Sequence, residues 1–203
     1  MTQTTSRTLT GWINLDKDKD ITSTQALNKV KRILGITKRG PRIGHAGTLD
    51  PLATGCLPIA IGEATKTVSF AQGREKIYEF DITFGESRTT DDLDGDILEK
   101  SDSRPEKHQL EALLPSYTGT ISQTPPQFAA VKINGERAYD IARDGGEAKI
   151  KARDVFIEKL EIIDFTGDKA TLRATTGKGV YVRALARDFG NDLGCFGHIS
   201  RLR

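Results

Sequence analysis

The segment from Lys76 to Phe84 alternates between apolar and polar side chains over most of its length. A period of two is typical of a β-strand that buries one face. Further along, Val155 to Phe165 and Lys169 to Thr175 flank Gly167-Asp168, which predicts two paired strands joined by a turn. Strands in runs, with helices in mixed placement, favour an α+β fold. We expect a mixed, mostly antiparallel sheet with flanking helices rather than regular βαβ winding.

Helix signals lie between these strands. Ser23 is a candidate cap for a helix that Gly35 ends, with one apolar face formed by Ala26, Leu27, Val30, Ile33 and Leu34. A capping-box pattern at Ser103 to Glu106 predicts a helix through Leu114. The remaining predictions are helices over Ala64 to Ala71, Glu136 to Arg143 and Val180 to Asp192, and strands over Thr8 to Leu15, Cys56 to Ile61 and Phe128 to Ile133.

Length and composition narrow the class of protein. A chain of 203 residues can bury a substantial core, and we expect one domain over residues 1–203. No apolar run approaches the roughly 20 residues of a membrane-spanning helix, and the N-terminus lacks the apolar core of a signal peptide. Cys56 and Cys195 are therefore expected to be free thiols in the cytoplasm, and their spacing to the histidines fits no zinc site.

Charge is distributed unevenly although the net charge is only +2. From Ile21 to Leu49 there are six basic residues and no acidic one, and from Lys169 to Arg203 seven basic residues face two acidic ones. Between these two basic blocks, Glu86 to Glu111 is rich in acid. Such blocks suit contact with a phosphate backbone, although ordinary solvated helix faces would give the same pattern.

One loop concentrates unusual chemistry. The run from Gly44 to Gly55, GHAGTLDPLATG, holds three glycines, one proline, one histidine and one carboxylate, Asp50. Pro51 restricts Asp50 to extended backbone angles, and the glycines permit close approach of a large ligand. A rigidly presented carboxylate is one interpretation, and a surface turn with a solvated aspartate is the other.

The stretch from Gly44 to Lys66 resembles the signature of the TruB family of pseudouridine synthases, the enzymes that make pseudouridine 55 in the T-loop of tRNA. Further segments match in the family's order and cover nearly the whole chain. They are Lys76 to Tyr78, Thr89 to Asp91 with Asp94-Gly95, Pro125 to Lys132, Asn134-Gly135 with Arg137 to Tyr139, Gly177 to Arg183, and Leu193 to Cys195 with His198 to Arg203. The resemblance implies an α+β catalytic domain of the pseudouridine synthase type.

The implied reaction breaks the N1–C1′ bond of a uridine, turns the base and joins C5 to C1′. It needs no redox cofactor and no metal, and the sequence offers a site for neither. The family's catalytic aspartate maps onto Asp50, which can act as a nucleophile or stabilise a glycal-like intermediate. A glycoside hydrolase would require a second carboxylate at the bond, and none is evident beside Asp50.

The resemblance adds two catalytic residues. Tyr78 matches the tyrosine that the family places against the target base, although periodicity alone suggests a core tyrosine. Arg183 matches the arginine that pairs with the catalytic aspartate, although by itself it suggests an exposed helical residue. His45 is assigned to contact with the T-loop. The other residues predicted to bind substrate are Gly44, Lys132 and Tyr181 from the matching segments, and Lys38 and Arg39 from the first basic block.

Two departures from the family pattern matter. Ala129 stands where the family often has serine, and family members continue beyond Arg203. We therefore expect the end of the catalytic domain and any C-terminal RNA-binding domain to be absent from this chain.

The expected partner is the T-arm of tRNA. We expect the chain to bind it as a monomer, and we expect no association with a membrane. Two alternatives stay open: a guide-dependent pseudouridylase resembling dyskerin, and a non-catalytic tRNA-binding or folding protein. A nucleotide-hydrolysing P-loop is absent from the sequence.

Overall fold

A computed structural model describes residues 9–129, 131–133, 136–138, 146 and 149–203. The chain divides into two compact units, residues 1–74 and residues 75–203. Both units combine antiparallel strands with helices, as the sequence predicts. Within the described ranges, no helix is long and apolar enough to cross a membrane.

The first unit is built on a three-stranded antiparallel sheet. Its strands are β1 (Gly11–Lys17), β2 (Ile43–His45) and β3 (Gly55–Ile61), with β3 in the centre. Helix α1 (Ser23–Ile33) packs on this sheet, and its Ala26 joins a core with Ile36, Leu57, Ile59 and Ile61. A 3₁₀ turn (Gly62–Thr67) and helix α2 (Val68–Gln72) follow, where the sequence predicts a short helix.

The start of α1 differs from the prediction by one residue. Thr22 is the cap: its hydroxyl accepts a hydrogen bond from the Gln25 amide, and the Gln25 side chain accepts one from the Thr22 amide. Ser23 is buried and bonds elsewhere. The predicted apolar face is also too wide, because Ile33 is 72% exposed at the end of the helix.

The second unit contains a five-stranded antiparallel sheet in the order β12-β4-β11-β10-β7. Strand β4 occupies Lys76–Phe84, as predicted, with Phe80 and Ile82 completely buried. Its other members are β7 (Gly119–Gln123), β10 (Arg153–Phe165), β11 (Lys169–Thr176) and β12 (Gly197–Leu202). Two short hairpins lie outside this sheet: β5 (Glu86–Arg88) with β6 (Ile97–Lys100), and β8 (Lys132–Ile133) with β9 (Glu136–Arg137).

Two helix predictions in this unit need correction. Helix α3 spans Lys107–Leu113, and its capping box is formed by Glu106 and Gln109 rather than by Ser103 and Glu106. Glu136 and Arg137, predicted to begin a helix, form strand β9 instead, because they pair with Ile133 and Lys132 of β8. The rest of that predicted helix, except Ala138, and the Asn134-Gly135 turn lie outside the described residues.

The structure confirms the helix that the sequence predicts near the C-terminal end of the chain, α4 (Val182–Asp192). It packs closely on β12 because Gly190 and Gly197 have no side chains at the contact. A Cβ atom at residue 190 would lie 2.2 Å from the backbone nitrogen of Gly197. Most residues in the first turns of α4 are also buried, Arg183 among them.

Candidate active site

The Asp50 loop is tied down on both sides within the first unit. Before it, β2 pairs with β3 and the Ala46 amide donates to the Pro58 carbonyl at 2.9 Å. Next to Asp50, the Leu49 amide donates to the Ser23 hydroxyl at 2.9 Å, and that hydroxyl donates to the Leu49 carbonyl at 3.1 Å. After Asp50, Leu52 and Ala53 are buried. The backbone at Asp50 is therefore fixed rather than free to sample many conformations.

Lys17 forms a second support beneath the loop. Its side chain is almost completely buried, and its ammonium group donates to the carbonyls of Ile21 at 2.8 Å, Asp18 at 2.9 Å and Pro51 at 3.3 Å. Burial lowers the pKa of the Lys17 ammonium, while the charge of Asp50, and those of Asp18 and Asp20, favour its charged form. The three donors of the ammonium thus join the segment that follows β1 to the residue directly after Asp50.

The other site residues predicted in the first unit all precede Asp50 in the sequence. Gly44 and His45 belong to β2, opposite Ala60 and Ile59. The Nδ1 atom of His45 is buried and has no hydrogen-bond partner among the described residues. Lys38 and Arg39 are exposed in the turn after α1. Asp50 itself is partly exposed.

Tyr78 lies near the start of β4 in the second unit, opposite Ala174 of β11. It shares a strand face with Phe80 and Ile82, but unlike them it is only partly buried. Its partial exposure leaves room for either interpretation, a core tyrosine or a ring placed against a base. A ring in this position can fill the end of the core and still present a surface to solvent or to a base.

Arg183 is buried, with 5% of its surface exposed, and is not the exposed helical residue that the helix pattern alone suggests. Its guanidinium donates to the carbonyls of Thr90 at 2.9 Å and Phe128 at 3.1 Å. Its Nε atom lies 3.6 Å from a carboxylate oxygen of Asp92, which is itself 3% exposed. These contacts fix the plane of the guanidinium group at the start of α4.

Asp92 is held by the turn that contains the Thr89-Thr90-Asp91 segment. Its carboxylate accepts hydrogen bonds from the Thr90 hydroxyl and from the Asp94 amide, the latter at 3.1 Å. Burial raises the pKa of Asp92, and the Thr90 hydrogen bond and the Arg183 charge oppose that shift. The turn needs a glycine at residue 95, because a Cβ atom there would lie 2.4 Å from the Thr90 hydroxyl.

Tyr181 directly precedes α4 and is contacted by the side chains of Gln123 and Arg153. The buried Gln123 side chain donates to the Tyr181 carbonyl at 3.1 Å and accepts from its amide at 2.8 Å. The Arg153 guanidinium lies 5.1 Å from the centre of the Tyr181 ring and donates to the Gly179 carbonyl at 2.8 Å. Lys132, the last predicted binding residue, lies on β8 opposite Arg137.

Sequence reasoning did not assign Lys17, Ser23 or Asp92 to the site, although they hold the predicted residues in place. Their local signals were weak: a charged loop, a hydroxyl beside another hydroxyl, and one acid among several. In the part of the chain that the structure describes, no cluster of histidine, cysteine or acidic residues could hold a metal ion. Asp50, Gly44 and His45 lie in the first unit, and Tyr78, Tyr181 and Arg183 lie in the second.

Known proteins match this chain over nearly its whole length. It is 56% identical over 198 residues to tRNA pseudouridine synthase B of Agrobacterium fabrum, covering 97% of this chain and 62% of the relative. The protein of the same name from Brucella melitensis is 54% identical, with 60% of its length covered. The chain thus spans about three fifths of the length of these curated relatives.

The fold also matches a solved structure, the crystal structure of a Cbf5-Nop10-Gar1 complex. The TM-score is 0.70 at 27% identity, covering 95% of this chain and 47% of the matched chain. A family model described as TruB family pseudouridylate synthase, N-terminal domain, matches residues 31–182. This chain belongs to the TruB family of pseudouridylate synthases.

Proposed function

We propose that this chain converts a uridine in the T-loop of tRNA, position 55, to pseudouridine, with Asp50 as the catalytic nucleophile. The observation that carries the proposal is a partly exposed aspartate, Asp50, on a loop that Ser23 and buried Lys17 hold in place. Family membership and the name tRNA pseudouridine synthase B of the relatives support the substrate class.

In the proposed reaction, the Asp50 carboxylate either attacks C1′ or stabilises a glycal-like intermediate while the N1–C1′ bond breaks. The freed uracil turns and bonds to C1′ through C5, which breaks the Asp50–C1′ bond if one has formed, or returns to the aspartate-stabilised glycal. C5 then loses its proton and N1 gains one, so that no atom is gained or lost overall. The target nucleotide must leave its stack first, because a carboxylate cannot reach C1′ of a stacked and paired base. Tyr78 is assigned to stack on the extruded base and Arg183 to stabilise the ionised aspartate.

Substrate binding is assigned to Gly44, His45, Lys38 and Arg39 of the first unit and to Lys132 and Tyr181 of the second. The unpartnered Nδ1 atom of His45 supports its role, since a buried ring nitrogen gains from a ligand hydrogen bond. The contact of the Tyr181 ring with the Arg153 guanidinium supports its role, because a ring that is already held in place loses little entropy on binding. We expect the chain to act as a monomer.

A guide-dependent pseudouridylase is the second candidate, favoured by the structural match to the Cbf5 complex. Incubation with an unmodified T-arm stem-loop, without any guide RNA, separates the two. Pseudouridine at the T-loop position supports the proposal. Product that forms only when a guide RNA is added supports the second candidate. Tight binding without product under both conditions supports a non-catalytic RNA-binding protein.

Replacing Tyr78 by leucine is expected to lower kcat by about tenfold to a hundredfold, since stacking on a base is worth about 1–3 kcal/mol. The melting temperature should change little, because Tyr78 is only partly buried. Phe80→Leu is the matched control on the same strand face: Phe80 is completely buried, so this variant should lose stability and keep its activity when folded. If Tyr78→Leu melts as early as Phe80→Leu and loses activity in proportion, Tyr78 is a core residue.

Binding to the stem-loop is expected to weaken steeply with salt, since each phosphate contact adds about 0.7–0.9 to the slope of log affinity against log salt. Exchanging Lys38 and Arg39 for glutamate should flatten this slope and leave the modified uridine unchanged, because phosphate contacts carry no sequence information. A double exchange of Lys100 and Lys107 for glutamate changes the net charge equally, in the acid-rich segment, and should leave the slope as it was. Equal slopes for all three proteins would remove Lys38 and Arg39 from the RNA-binding surface.

A further inference from the structure

Helix α4 carries two arginines one turn apart, and each contacts one of two consecutive aspartates. Arg183 faces Asp92, as described above. One turn later, Arg187 lies with its Nη1 atom 3.1 Å from a carboxylate oxygen of Asp91. The remaining donors of Arg187 bond to Asp188 at 2.8 Å and to the Thr124 carbonyl at 2.8 Å. The Asp91–Arg187 pair is mostly buried, with side-chain exposures of 13% and 24%.

The backbone at Asp91 makes this double contact possible. Asp91 has a φ of 59°, in the left-handed region that aspartate and asparagine tolerate better than most residues. Its amide donates to the Arg88 carbonyl at 3.1 Å, and its carbonyl accepts from the Ile199 amide at 3.0 Å. The turn is thus attached to β12 through its backbone and to α4 through two adjacent carboxylates.

We propose that Asp91 and Arg187 are positioning residues for the arginine of the candidate active site. Their ion pair holds the 90–92 segment against α4, so that the Thr90 carbonyl and the Asp92 carboxylate meet the Arg183 guanidinium. Without it, Arg183 keeps its charge but loses the fixed frame of acceptors that orients it. This inference rests on the proposed isomerase function and adds two residues to it that do not touch the substrate.

The electrostatics of Asp91 give the proposal a distinctive signature. Burial raises the pKa of Asp91 to about 6, although the charges of Arg187 and Arg183 favour the carboxylate; the charge of Asp188 raises the pKa further. As pH falls through about 6, Asp91 therefore takes up a proton and its attraction to Arg187 weakens. The positioning effect is present above this pH and is lost below it.

The test compares the full chain with its Asp91→Asn variant on an unmodified T-arm stem-loop over a range of pH. Asparagine keeps the size and the left-handed backbone and imitates the protonated aspartate. At neutral to alkaline pH, we expect kcat to fall by about tenfold to a hundredfold, as misplaced catalytic groups typically cost, with KM changed by less than about twofold. The acid limb near pH 6 should be present in the parent and absent in the variant.

Arg187→Gln should reproduce both effects, and combining it with Asp91→Asn should add little, because the two residues act as one pair. The control is Asp168→Asn, which removes another aspartate paired with an arginine, Arg104 at 2.6 Å, and should leave kcat and the pH profile unchanged. A parental kcat and acid limb in folded Asp91→Asn would overturn the positioning role. An inactive parent chain would instead count against the proposed function itself, so the two failures are distinguishable.

Discussion

Replacing Asp50 by asparagine is expected to lower turnover by at least about a thousandfold, which corresponds to about 4 kcal/mol of lost transition-state stabilisation. Asparagine matches aspartate in size but supplies neither the nucleophilic oxygen nor the negative charge. The loop should keep its shape, because Ser23 and Lys17 hold the backbone of Leu49 and Pro51 rather than the Asp50 side chain. Binding of the stem-loop should therefore change little.

Single-turnover assays beside RNA titrations check this expectation. Asp20→Asn is the matched control from the same support, since the Asp20 amide bonds to the Pro51 carbonyl at 2.8 Å and its backbone remains unchanged in the variant. Asp20 also has a positive φ, 63°, which asparagine tolerates. Near-parental turnover in Asp50→Asn would show that Asp50 is not the nucleophile.

Replacing Arg183 by methionine should both stop turnover and destabilise the fold. The substitution leaves Asp92 buried without its cation, and breaking a buried ion pair from one side costs about 3–5 kcal/mol. It also leaves the carbonyls of Thr90 and Phe128 without this donor. Chemical denaturation measures the loss, and adding Asp92→Asn to the same chain should recover part of it, because the unpaired charge is then removed.

Arg201→Met provides the comparison for this prediction. Arg201 bonds to a buried aspartate too, Asp81, at 3.0 Å, but Asp81 also accepts from Thr171 at 2.8 Å and from Lys169 at 3.2 Å. We therefore expect a smaller loss of stability than in Arg183→Met. If both variants unfold at the same denaturant concentration, the buried contacts of Arg183 do not stabilise the fold more than those of Arg201.

Much of the fold could be predicted because its signals are local. The alternation in Lys76–Phe84 fixed β4 to the residue, since one face of that strand is buried and the other carries charge. Strand β12 was not predicted, because Gly197–Leu202 includes polar and charged residues and is recruited by pairing with β4, more than a hundred residues earlier in the chain. The α1 cap was assigned to the wrong hydroxyl because Thr22 and Ser23 offer the same chemistry to a reader of the sequence.

In the candidate site, too, the sequence predicts the residues with local signals and misses those that depend on tertiary contacts. The residues that would touch substrate stand out through their motifs, as Asp50 does between glycines and a proline. Their supports do not, since only tertiary contacts distinguish Asp92 from its neighbours Asp91 and Asp94. Lys17 is equally inconspicuous: nothing in the charged run from Asp16 to Asp20 shows that its ammonium is buried and bonded to the Pro51 carbonyl. Long-range burial, rather than residue type, makes these side chains important.

The central claim is that Asp50 isomerises the T-loop uridine, and site-resolved mapping tests it most directly. The full chain and its Asp50→Asn variant are incubated separately with an unmodified tRNA transcript, without guide RNA, and pseudouridine is mapped at every uridine. We predict modification at position 55 alone with the parent chain and at no position with the variant. Product at other uridines, equal product from both proteins, or no product from a folded parent chain would contradict the account.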